Sequence, residues 1–171
     1  MHLAFHHDLT DEVAKAPFRW AQIGLDSDNK AVLAELLSRI AFKDPKISYG
    51  FNADGVCFDP ATGDLSAPLN IGFGMTCATF ITAALKTYEY ELCEISSWPD
   101  RPEDAEWQSK ILVYLERKAS ADHVAAVKAS IGGKRLRPDE VVGAAMIDAK
   151  EWPVKFEIAR ELADQVLVDL S

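Results

Sequence analysis

The stretch Asn70-Ile-Gly-Phe-Gly-Met-Thr-Cys-Ala-Thr-Phe-Ile-Thr-Ala-Ala-Leu85 decides how this chain is read. A loop punctuated by Gly72 and Gly74 runs into a helix whose first turn carries Cys77. Thr76 stands at the N-cap position, where its hydroxyl can accept a hydrogen bond from a free backbone N–H. Phe80, Ile81, Ala84, Leu85 and Tyr88 recur behind it at helical spacing and predict one buried face, with the helix running to about Tyr90. A cysteine in that first turn feels the positive end of the helix dipole, which favours thiolate over thiol. The opposing reading is also physical. Cys77 shares helical spacing with Phe80, Ile81 and Ala84, and free cysteines are among the most buried residues. The small neighbours Thr76, Ala78 and Thr79 favour the first reading, because they leave the sulfur approachable and backbone N–H groups available to an oxyanion.

Outward from that stretch, composition bounds the answer. With 171 residues, 49% hydrophobic content and a mean hydropathy of −0.05, the chain is expected to bury a real core as one domain, residues 1–171. A net charge of −9 and a pI near 4.9 oppose nucleic acid and anionic membrane as partners, since the long-range field repels them. The short basic patch Lys134-Arg135-Leu136-Arg137 does not change that. No apolar run approaches a membrane span, and the N-terminus shows no secretory leader, so the cytoplasm is the expected location; delivery by a signal-free secretion system would leave the same sequence. Cys57, Cys77 and Cys93 are an odd number without CxxC spacing, which argues against a disulfide framework or a zinc ribbon.

The opening His2-Leu-Ala-Phe-His-His-Asp-Leu9 reads as a strand, and Phe18–Ile23 as its hairpin partner. Asp26 to Asp28 offer N-caps for a helix through about Phe42, with Val32, Leu33, Leu36, Leu37 and Ile40 as its apolar stripe. Residues 46–70 read as a long ordered loop containing one short strand at Gly55–Phe58. Helices are expected over Glu103–Lys118, Ala121–Ile131 and Pro153–Leu170, with a short element, helical or extended, from Arg137 to Met146. The fold class is α+β: a small antiparallel sheet packed against helices, which dominate the C-terminal half.

A thiolate nucleophile ordinarily works with an imidazole held by a third polar group. His2, His6 and His7 crowd the first strand, while His123 lies on a charged helix and reads as solvated or capping. The His2-x-x-x-His6-His7 pattern has no carboxylate or thiol at ligand spacing, so neither a metal nor another cofactor is expected. Cys93 stands beside Glu91 and Glu94, which makes it a poor nucleophile. The carboxylate pairs Asp104/Glu106 and Asp139/Glu140 sit at helix starts and read as solvated dipole partners.

The order of these pieces resembles the circularly permuted papain-like cysteine hydrolases, the group of the permuted NlpC-type peptidases and the lecithin:retinol acyltransferase-like enzymes. His2-Leu-Ala-Phe5 resembles their histidine strand, Cys77-Ala-Thr-Phe-Ile81 their cysteine helix, and Pro45-Lys-Ile-Ser-Tyr-Gly-Phe51 the aromatic piece ahead of the cysteine. The resemblance covers about the first half of the chain. It implies a papain-like core over residues 1–95, with 96–171 as a helical extension packed on it. By it, Cys77 is the nucleophile, His2 the base and Gln22 the orienting group, with Asp8 a weaker choice; His6 and His7 compete with His2. The implied activity is that of a thiol hydrolase or acyltransferase on a small-molecule, peptide or acyl substrate. The alternative is a non-catalytic binding protein, of immunity or adaptor type, on the same scaffold.

Overall fold

The computed structural model describes residues 1–13 and 20–170, with the side chains of 169 and 170 left aside. Strands β1 (His2–Phe5) and β2 (Asp8–Thr10) form an antiparallel hairpin with His2 opposite Thr10 and Leu3 opposite Leu9. This corrects the expected pairing with Phe18–Ile23. The chain instead turns at His6-His7, where His7 adopts φ 56°, a left-handed conformation that histidine tolerates better than bulkier or branched residues. Trp20–Ile23 holds no strand, and Phe18 and Arg19 lie outside the described residues. A local hairpin needs little loop closure and directs Leu3 and Leu9 toward the same apolar cluster, so it wins over a more distant partner.

Helix α1 (Ser27–Lys43) starts where the Asp26 carboxylate accepts the Asn29 N–H at 2.9 Å, and stops at Asp44 before Pro45. Its buried stripe is narrower than expected: Leu36 and Ile40 are sealed, whereas Val32 is exposed. Helix α2 (Cys77–Lys86) is shorter than the periodicity suggests. Glu89 is left-handed at φ 64° and the Tyr90 N–H returns to the Leu85 carbonyl at 3.3 Å, a helix-closing turn that ends α2 before Tyr90. The expected strand at Gly55–Phe58 reduces to one bridge between Phe58 and Leu65.

The second half adds α3 (Pro102–Leu115), α4 (Ala121–Lys128), α5 (Pro138–Ala145) and α6 (Phe156–Leu170). The element from Arg137 is thus helical, with proline at its first turn where the missing N–H costs nothing. Helix α2 ties the halves together. Phe80, Ala83 and Ala84 pack with Leu3, Leu36, Ile40 and Met75 under the hairpin. On its other side Ala78 and Leu85 pack with Trp98, Val141, Ala144 and Ala159. A third cluster, Tyr49 with Leu112, Leu115 and Val127, joins the 46–51 segment to α3 and α4.

Two carboxylates depart from the sequence reading. Asp104 and Glu140 are 2% and 0% exposed, not solvated. Glu140 accepts the Trp98 indole N–H at 3.1 Å, the Arg137 N–H at 3.0 Å and two bonds from the Arg101 guanidinium. Asp104 accepts from Arg101 at 2.5 Å, Arg135 at 3.0 Å and Arg137 at 2.9 Å. Burial is tolerated because the arginines and neighbouring N–H groups saturate the oxygens. Among the described residues, no helix is long and apolar enough to cross a membrane.

Candidate functional site around Cys77

The turn before α2 is built as the sequence suggests. Thr76 and Thr79 cap each other: the Thr76 hydroxyl accepts the Thr79 N–H at 3.2 Å, and the Thr79 hydroxyl accepts the Thr76 N–H at 2.8 Å. Cys77 follows as the first helical residue, and its side chain is exposed while Ala78, Phe80 and Ala84 turn into the core. That separates Cys77 from the buried stripe. Cys57 is half-buried with its sulfur 3.0 Å from the Ser66 hydroxyl, and Cys93 is buried. Burial, then the nearby Glu140 charge, pushes the Cys93 thiol up to about 12. The N–H groups of Cys77 and Ala78, in the first turn, have no acceptor among the described residues.

The cap makes a direct prediction. Thr76→Ala removes the acceptor for the Thr79 N–H, and is expected to lower stability by about 1 kcal/mol. Urea unfolding should show a lower midpoint with an unchanged denaturant slope.

The loop ahead of the cap lies beside the 48–52 segment in parallel. The Met75 N–H donates to the Ser48 carbonyl and the Gly74 N–H to the Asn52 carbonyl, both at 2.9 Å, with a parallel bridge between Tyr49 and Met75. Tyr49 is 5% exposed, between the Phe5 ring at 4.7 Å and the Phe51 ring at 6.4 Å. Its phenol is pushed up to about 12, first by burial and then by negative charge on Cys77, while the Arg135 cation acts in the opposite direction. Arg135 stacks on Trp107 at 3.5 Å and pairs with Asp104. Thiol, phenol and guanidinium therefore share one electrostatic neighbourhood. A cavity of about 390 Å3 is lined by Phe51 and Arg135 and by Thr79, Thr82 and Lys86 of α2, on the helix face turned away from Cys77.

The histidines are arranged otherwise than the sequence suggests. His2 and Ala4 are exposed while Leu3 between them is buried against the core, so His2 projects from the outer side of β1. Gln22 is exposed and accepts from Lys30 Nζ at 3.3 Å, and Asp8 accepts from the Thr10 hydroxyl at 3.3 Å. Among the described residues, none of His2, Gln22 and Asp8 is hydrogen-bonded to Cys77 or to one another. His6 and His7 occupy the hairpin turn and stack at 3.9 Å.

His123, read as solvated or capping, is 6% exposed. Its Nδ1 accepts the Gly72 N–H at 3.2 Å and its Nε2 lies 2.9 Å from the Tyr49 carbonyl. His6 Nδ1 in turn accepts the Tyr49 N–H at 3.1 Å. A sequence signal for His123 did exist: it shares a helical face with Val127, which is fully buried. Tyr49 and Arg135 carried no such signal, because each reaches the site through a long-range contact. Among the described residues, no group of three or more potential ligands has an arrangement that could hold a metal ion.

Compared with known proteins, the chain matches no family model, no curated protein and no solved structure at a significant level.

Proposed function

We propose that this protein is a thiol hydrolase or acyltransferase in which Cys77 attacks the carbonyl carbon of an amide or ester. The observation that carries the reading is the exposure of Cys77 at the capped start of α2, beside two free N–H groups, while Cys57 is half-buried and Cys93 buried. In the reaction the Sγ–C bond forms, the carbonyl oxygen takes up negative charge beside the first-turn N–H groups, and the C–N or C–O bond then breaks. The departing amine or alcohol leaves with a proton, and water or an acceptor resolves the thioester. The base in this reading is His2, whose ring alone among the hairpin's three histidines has no partner in the described residues.

The test is acyl-enzyme formation with p-nitrophenyl acetate, read as a stoichiometric burst of p-nitrophenol and as acetyl mass on a peptide. The burst is expected to map to Cys77, to vanish in Cys77→Ala, and to survive in Cys57→Ala and Cys93→Ala. Iodoacetamide should likewise label Cys77 first, Cys57 more slowly and Cys93 last in the folded protein, following exposure. A burst that persists without Cys77 overturns the proposal.

A second reading has its own observation. His6 and His123 spend their Nδ1 lone pairs on backbone N–H groups, and no histidine bonds Cys77 among the described residues. Those features suit a non-catalytic binding protein of adaptor type. Under it, Cys77→Ala leaves partner binding intact and no acetyl-enzyme forms.

A further inference from the structure

We propose that His6, His7 and His123 form an acid-released latch, which holds the 48–52 segment against the Gly72–Met75 loop that leads into Cys77. Each imidazole engages Ser48 or Tyr49, two of them through the Tyr49 backbone and one through the Ser48 side chain. His6 Nδ1 accepts the Tyr49 N–H at 3.1 Å, and His123 Nε2 lies 2.9 Å from the Tyr49 carbonyl. His7 Nε2 lies 3.4 Å from the Ser48 hydroxyl. The other ring nitrogen of His123 accepts the Gly72 N–H at 3.2 Å, so one side chain bridges both halves of the parallel pair. The rings are close, at 3.9 Å between His6 and His7 and 5.3 Å between His6 and His123.

The bonding defines the charge state. A ring nitrogen that accepts from an N–H carries no hydrogen, so His6 and His123 are neutral with the hydrogen on Nε2. Protonation would point a second N–H at the Tyr49 and Gly72 N–H groups, turning two acceptors into donors. The surroundings of His6 and His7 also oppose the cation. The hairpin contributes the other imidazoles and Asp8, which is turned to the Thr10 hydroxyl. The 44–49 segment contributes Lys46, paired with Asp44, and the neutral Tyr49 phenol. Helix α4 adds the exposed Asp122 beside His123, and α2 adds Cys77. No carboxylate accepts from any of the three rings among the described residues.

His6 is accordingly lowered to about 4, by burial first and then by the charges of His7 and His123. His7 is lowered too, by burial, then His123, then Lys46. A histidine whose folded value is depressed stabilises the fold above its ordinary value of 6.5, and that contribution disappears as the pH falls toward 4. The latch therefore loosens across that interval. It stands on hydrogen-bond geometry and does not require Cys77 to be catalytic.

Amide hydrogen exchange by NMR on the full chain tests it. Between pH 7.0 and 4.5, protection factors corrected for intrinsic exchange are expected to fall at least tenfold at Tyr49 and Gly72, and less than twofold at Ala163 in α6. The double variant His6→Asn/His123→Gln keeps an acceptor and, at 123, a donor, but cannot titrate at the two positions whose rings accept the Tyr49 and Gly72 N–H groups. It should hold Tyr49 and Gly72 within twofold over the same range. A fall that persists in the double variant, no fall in the wild type, or an equal fall at Ala163 overturns the latch. Should the variant fail to fold, imidazole nitrogen shifts of the wild type at pH 7.5 decide. They should show bare Nδ1 and protonated Nε2 in His6 and His123; protonated Nδ1 in either overturns the proposal.

Discussion

Glu140→Ala is expected to cost about 3–5 kcal/mol, the range for removing one partner of a buried ion pair. The side chain is fully buried, and its loss leaves the Arg101 guanidinium half-paired and the Trp98 indole N–H and Arg137 N–H without their acceptor. The residues it joins are far apart in sequence. Trp98 is sealed at 1% exposure in the cluster shared with α5 and α6, and Arg101 also binds the Arg135 carbonyl at 2.8 Å. Chemical unfolding followed by tryptophan fluorescence measures the loss. Glu140→Gln should recover part of it, because the amide oxygen still accepts, though it no longer offsets the Arg101 charge.

The same network has a signed pH dependence. Burial alone would raise Glu140, but the hydrogen bonds from Arg101, Arg137 and Trp98 and the Arg101 charge leave it below its ordinary value. Asp104 is lowered in the same way: burial opposes, and Arg101 and then Arg137 prevail. A depressed carboxylate stabilises the fold above its unfolded value, near 4.5 for Glu140, and that contribution is lost as the pH falls through the folded value. Acid unfolding should therefore have two parts, an imidazole part between 6.5 and about 4 and a carboxylate part below about 4.5. Glu140→Ala should diminish the second and spare the first.

Gly74→Ala is the second large effect, expected at about 3 kcal/mol, the upper end for overpacking a tight interior. A Cβ at residue 74 would lie 2.5 Å from the Ser48 carbonyl oxygen and 2.6 Å from the Gly50 nitrogen. Those are backbone atoms of the facing segment and cannot swing aside. The segment would have to move off the loop, breaking the Met75-to-Ser48 and Gly74-to-Asn52 hydrogen bonds that position the turn before Cys77. Calorimetry gives the stability change, and the Cys77 alkylation rate reports the turn. Gly55→Ala is the control, since a Cβ there meets nothing within 4 Å, although its φ of 72° still imposes modest strain.

These two sites mark what could and could not be read in advance. The Thr76 cap, the start of α2 and the sealed Leu36 and Ile40 of α1 follow from rules spanning a few residues, and the structure has them. The end of α2 was harder, because Glu89 takes a left-handed conformation that side-chain periodicity does not announce. Asp104 and Glu140 looked like ordinary helix-start carboxylates. Their burial depends on arginines drawn in from 101, 135 and 137, a convergence with no sequence period.

By itself, the amino-acid sequence determined the α+β class, the starts of α1 to α4 and the placing of a cysteine in the first turn of α2, since capping and apolar periodicity act between near neighbours. Tertiary structure alone decided that Cys77 faces out, that His2 stands on the outer side of β1, and that His123 is buried against Tyr49 and Gly72. The physical reason is the same in each case. A side chain's partner, and so its charge and its role, is set by which distant backbone packs beside it.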